Sequence, residues 1–185
     1  ATSSGSSALF VALKSIGIKR DEIVLTQSYT FTGTTNAIIL NNSIPLLLDI
    51  KKYNLNLDLD NLENFLDKNT LKKGKFIYHK ILKKKITCLC LVFTLGIIPD
   101  LMRAKKISRK YNLKIVEDAA QAIGSKLHDK YSGTFGDIGK LTSRTRCSSC
   151  ANNLSLYLTS NRWYFHPHQN EVRHRNFHDA PNDVT

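Results

Sequence analysis

The residue types best suited to chemistry fall in three short stretches. In SSGSSAL, residues 3–9, Gly5 lets the backbone turn tightly, and the amides of Ser6 and Ser7 at a helix start form a seat for an anion such as phosphate. In SYTFTGTTNAI, Phe31 stands just after an apolar run, where its face can stack on a flat ring. In KIVEDAAQAIGS, residues 114–125, an apolar run ends in Glu117 and Asp118, with Gln121 one turn further on. Each stretch also has a plain structural reading. The serines would cap a helix, Phe31 would be core, and Asp118 would cap whatever follows its strand.

Apolar periodicity supplies the elements that must carry these residues. SSALFVALKSIG places Leu9, Leu13 and Ile16 on one helical face and stops at Gly17. EIVLT and IPLLLDI read as strands, and residues 30–41 as a helix on a threonine cap with Ala37, Ile38 and Leu40 inward. LDNLENFLDKN, residues 59–69, is amphipathic through Leu59, Leu62, Phe65 and Leu66. A lysine-rich connection leads to ITCLCLVF, a strand on which Cys88 and Cys90 share a face as buried thiols. Pro99 opens a helix with Leu101, Ala104, Ile107 and Tyr111 on one side, and LKIVED is a fourth strand. This alternation predicts an α/β fold, a mostly parallel sheet with flanking helices. Ligands of such sheets bind beyond the carboxyl ends of the strands, where Asp118 stands. Phosphate seat, aromatic face and carboxylate together match the needs of pyridoxal phosphate, whose pyridine nitrogen a carboxylate keeps protonated so that the ring serves as an electron sink.

In this order, SSGSSALFVAL, VLTQSYTFTGTTNAI, LLLDIKKYNLNLDLDNLENFL, IVEDAAQAIGS and YSGTFGDIG resemble the DegT/DnrJ/EryC1/StrS family of pyridoxal-phosphate-dependent sugar aminotransferases. The resemblance covers residues 1–139. It implies a partial large domain of the aspartate-aminotransferase fold (fold type I), with an N-terminal segment and a small C-terminal domain missing. It also implies that Gly5, Ser6 and Ser7 hold the phosphate, Phe31 stacks on the ring, Asp118 faces the pyridine nitrogen and Gln121 lies near the ring hydroxyl. The implied reaction passes an amino group from glutamate to a nucleotide-linked keto-sugar, in a homodimer; the expectation of a cytoplasmic protein rests on the lack of an apolar span and of a secretion signal. The long 70–85 connection looks like the branch acting on 4-keto amino sugars. Two serines replace the family's Thr-Ala, and Phe93 stands where His is common. The Schiff-base lysine is expected at Arg146 or Cys147 and is absent, since neither a guanidinium nor a thiol can take that role. Thr142 stands where the family has a phosphate-binding serine, and that role is not assigned to it. Lys140 falls too early, and its predicted neighbours point the wrong way. No catalytic residue is therefore assigned, and a non-catalytic remnant is the competing expectation.

Composition breaks near residue 140. Before it stand eighteen Lys and three Arg; from it onward, one Lys, five Arg and no isoleucine. Such a change suggests translation in a shifted frame, with 140–185 as an aberrant, poorly ordered tail behind a 1–139 domain. Cys147-x-x-Cys150 with His166, His168, His174 and His178 superficially suggests zinc, but the gaps fit no standard finger and no metal is assigned. The net charge of +12 invites a nucleic-acid reading. Its densest clusters, Lys72, Lys73, Lys75 and Lys83 to Lys85, lack interleaved aromatics and read as solvated loop, so no nucleic acid is expected. No apolar run is long enough to span a bilayer, and ATSSGSSALF lacks the layout of a secretion signal. The chain begins without Met, in mid-motif, and reads as a fragment.

Overall fold

Ser4 opens the first helix by accepting the Ser7 N–H on its hydroxyl at 3.1 Å. The structure, a computed structural model, describes residue 2, residues 4–143 and the strand backbones 154–159, 163–164 and 173–174. Helix α1 (Gly5–Ser15) buries Ala8, Leu9, Ala12 and Leu13 and stops where Gly17 takes a left-handed φ of +81°. Strand β1 (Ile23–Gln27) is buried along its whole length, as a parallel strand covered on both faces should be. Helix α2 (Thr32–Leu40) is entered from Phe31, with no side-chain cap, rather than from a threonine. Leu40 is exposed, contrary to expectation. Asn41, four residues after Ala37, closes the inward stripe instead and donates its amide to the carbonyls of Phe10 and Ala37.

After β2 (Ile44–Leu48), Asp58 caps α3 (Leu59–Asn69) by accepting the Asp60 and Asn61 amides. The lysine-rich connection is not a plain loop. It forms an antiparallel hairpin of β3 (Thr70–Lys73) and β4 (Phe76–His79), and β4 pairs with β5 (Lys85–Val92). Phe76 and Tyr78 lie under lysines, with Lys85 Nζ 4.1 Å from the Phe76 ring centre, so aromatics do interleave with these cations. Asp100 caps α4 (Leu101–Tyr111), which Asn112 ends in a left-handed turn. Then come β6 (Lys114–Asp118), the small pair β7 (Lys126–Leu127) and β8 (Lys130–Tyr131), β9 (Ile138–Ser143) and β10 (Leu154–Thr159).

The strands run β10-β9-β6-β5-β1-β2, and every neighbour from β9 through β2 is parallel. This is the α/β architecture expected. Helices α1 and α2 cover one face over Val24, Cys88, Cys90, Val116 and Ile138. On the other, α3 and α4 bury Leu62, Leu66, Leu101 and Ile107 against Leu25, Leu89, Leu91, Phe93 and Ile115. Phe93, fully buried, is core on that second face. The thiols of Cys88 and Cys90 share the first face as expected, and burial pushes both well above the ordinary range. Strand β9 crosses the composition break at residue 140, and the backbone of β10 pairs antiparallel with it. Arg146, Cys147, Cys150, His166, His168 and His178 lie outside the described residues.

Candidate functional site

Strands β1, β5, β6 and β9 end along one edge of the sheet, and Asp118 is the last residue of β6. Only 5% of it is exposed. Oδ2 accepts from Thr34 Oγ1 at 2.8 Å, and Thr34 Oγ1 accepts in turn from Thr30 Oγ1 at 2.9 Å. Oδ1 accepts from Lys140 Nζ at 2.9 Å, in an ion pair buried at both ends. Register dictates this pair. Asp118 stands opposite Lys140 where β6 and β9 run parallel, so the two side chains leave the sheet on the same face. Lys140, set aside in the sequence as too early for the imine, thus meets the carboxylate directly.

Thr34 ties the carboxylate to the first turn of α2, and the residue before it ties that turn to α1. A Cβ on Gly33 would lie 2.8 Å from Ser6 Oγ and 2.9 Å from the Phe31 ring. A side chain here would have to displace the Ser6 hydroxyl and the Phe31 ring, so glycine leaves both in contact with this turn. Ser6, Phe31 and Asp118, far apart in sequence, therefore surround one turn of backbone on one side of the sheet. Gly5, Ser6 and Ser7 are half-buried in the first turn of α1, whose leading amides have no acceptor within the helix. The cap reading holds for Ser4, whose hydroxyl accepts the Ser7 amide and shares a hydrogen bond with the Ser7 hydroxyl. The core reading fails for Phe31, which is 78% exposed.

Gln121 follows Asp118 on an irregular segment and is exposed. Its Oε1 accepts the Leu95 N–H at 2.8 Å, so what the amide has left to give is its Nε2 donors. Glu117, fully buried on the opposite face of β6, accepts the amides of Gly133 at 2.8 Å and Phe135 at 2.6 Å, and that of Gly136. Burial pushes its carboxyl above the usual range although these three amides pull it down. Glu117 is thus the anchor of the GTFGD loop, and Asp118 alone of the pair faces the site.

Sequence reasoning missed Thr34 and the pairing of Lys140 with Asp118. A signal existed for both. Thr34 begins the inward stripe of α2 at i, i+3 and i+4 with Ala37 and Ile38, and Lys140 shares a strand face with the apolar Ile138 two residues before it. Among the described residues no group of three or more His, Cys, Asp and Glu is placed to hold a metal, and no helix is long and apolar enough to cross a membrane.

The family model described as the DegT/DnrJ/EryC1/StrS aminotransferase family matches residues 1–142. GDP-perosamine synthase of Escherichia coli O157:H7 is 29% identical over 136 residues, 74% of this chain and 33% of the relative. The 3-oxo-glucose-6-phosphate:glutamate aminotransferase of Bacillus subtilis (strain 168) is 30% identical over 142 residues, 77% of this chain and 28% of that one. The chain thus spans about a third of the length of the curated relatives it matches. Among solved structures, a DegT DnrJ EryC1 StrS aminotransferase from Brucella abortus shares the fold with a TM-score of 0.73 at 24% identity, over 86% of this chain and 40% of its own.

Proposed function

Because this chain belongs to the DegT/DnrJ/EryC1/StrS aminotransferase family, we propose that residues 1–142 form the cofactor-bearing part of an enzyme that moves an amino group from glutamate to a nucleotide-linked keto-sugar. The observation that carries this reading is the meeting of Ser6, Phe31 and Asp118 around the first turn of α2. The relatives named for GDP-perosamine and for a glutamate aminotransferase support the substrate classes.

The donor set suits pyridoxal phosphate. The Gly5 and Ser6 amides and the Ser6 hydroxyl would hold the phosphate at the positive end of α1, with Ser7 tied to Ser4 beside them. The exposed Phe31 ring would cover one face of the pyridine, and Asp118 would meet its nitrogen. With Oε1 committed to Leu95, Gln121 would offer Nε2 to the ring oxygen. When bound, the group supplies an electron sink for amino transfer. The chain's own contribution is to orient it, and to keep a carboxylate out of water so that its hydrogen bonds are strong.

The covalent attachment point is a departure. Lys140 is the last lysine in the sequence, and the family position falls at Arg146 or Cys147. We therefore expect these residues to bind without turnover, within a cytoplasmic homodimer of the family type. Equilibrium dialysis against 4′-deoxypyridoxine phosphate, which lacks the aldehyde and cannot label surface lysines, tests the seat. Saturable uptake that requires the phosphate is expected. Equal uptake of the phosphorylated and unphosphorylated forms would refute the reading.

A further inference from the structure

The Asp118 carboxylate is occupied on both sides. Thr34 donates to Oδ2 at 2.8 Å, and the Lys140 ammonium donates to Oδ1 at 2.9 Å. Lys140 is itself buried, and Asp118 is the carboxylate that meets it among the described residues. A buried ammonium deprived of its partner is strongly unfavourable, so the two groups hold each other in place. A protonated ring nitrogen seated on the same oxygen would set two cations against one anion. It would also need the space that Nζ fills at hydrogen-bond distance from Oδ1.

We propose that Lys140 is a built-in counter-ion of Asp118, standing where a cationic ring nitrogen would stand, so that a phosphorylated pyridine enters this seat only by displacing the ammonium. The inference rests on the cofactor reading above and adds a competitor to it. The ammonium neutralises the carboxylate in the unloaded chain. It also holds Nζ on the nitrogen side of the ring, away from the substituent to which an amine would attach. Lys140 is thus a positioning residue that sets affinity, and it does not replace the missing lysine.

Binding of 4′-deoxypyridoxine phosphate to the full chain and to Lys140→Met tests this, with Lys140→Gln as a second variant that keeps a neutral donor toward Asp118. Far-UV circular dichroism of each variant accompanies the titration. Loss of the competing charge-assisted bond should tighten binding about tenfold or more in Lys140→Met, and by a smaller factor in Lys140→Gln. A merely structural lysine would weaken binding when removed, so the direction alone discriminates. Equal or weaker affinity in both folded variants would overturn the competition while leaving the cofactor seat standing. No uptake by any of the three proteins would overturn both. Borohydride-trapped attachment of pyridoxal phosphate at Lys140, found by peptide mass analysis, would also overturn the proposal, because the amine would then be free to attack.

Discussion

Replacing Glu117 with alanine removes the single acceptor of three buried backbone amides, those of Gly133, Phe135 and Gly136. Each amide left without a partner costs about 1–3 kcal/mol, so the three together reach roughly 3–9 kcal/mol. Water entering the vacated space offsets part of this, and about 3–5 kcal/mol is the expected loss, a large share of the ~5–15 kcal/mol typical of a native protein. Glu117→Gln keeps one oxygen for Phe135 and Gly136 but turns a donor toward Gly133, and should lose about 1–3 kcal/mol. The assay is urea unfolding followed by far-UV circular dichroism, with amide hydrogen exchange read at residues 132–136. A pH series adds a signed check. The Glu117 carboxyl is raised in the folded state, so the folded chain binds the proton more tightly than the unfolded one. Its stabilising contribution is therefore complete below the ordinary glutamate range and is lost as pH rises through the raised value. Wild type should lose stability relative to Glu117→Gln across that window. A Glu117→Ala protein within about 0.5 kcal/mol of wild type, with unchanged exchange at those amides, would refute the anchoring role.

Three further outcomes follow from the same contacts. Gly139→Ala places a Cβ 2.0 Å from the Gly133 carbonyl oxygen; since the obstacle is backbone and cannot rotate aside, a loss of about 3 kcal/mol or more is expected in urea unfolding. Phe31→Ala should leave stability within about 0.5 kcal/mol, because the ring is 78% exposed, yet weaken binding of 4′-deoxypyridoxine phosphate, a split that calorimetric titration reads directly. Cys88 and Cys90, fully buried with raised thiols, should resist a thiol reagent until the chain unfolds, as peptide mapping of the labelled cysteines will show.

Local pattern was enough to place most elements. The apolar stripes of α3 and α4 and the continuous apolar runs of β1 and β5 are properties of adjacent residues, and periodicity reads them directly. Because strand and helix alternate, the parallel sheet followed, and with it the position of Asp118 at a carboxyl end. The hairpin of β3 and β4 escaped because its lysines mask the alternation, and its pairing depends on β5, which comes later in the chain.

What the tertiary structure alone decided is who meets the carboxylate. Asp118 and Lys140 are 22 residues apart, and a shift of one residue in the β6–β9 register would have sent the lysine to the other face. Thr34 reaches Asp118 across 84 residues, from a turn whose Gly33 packs against Ser6. Residue types and their order were enough to propose a phosphate seat, an aromatic face and a carboxylate. Their partners depend on long-range register and close backbone approach, and no local window of sequence contains either.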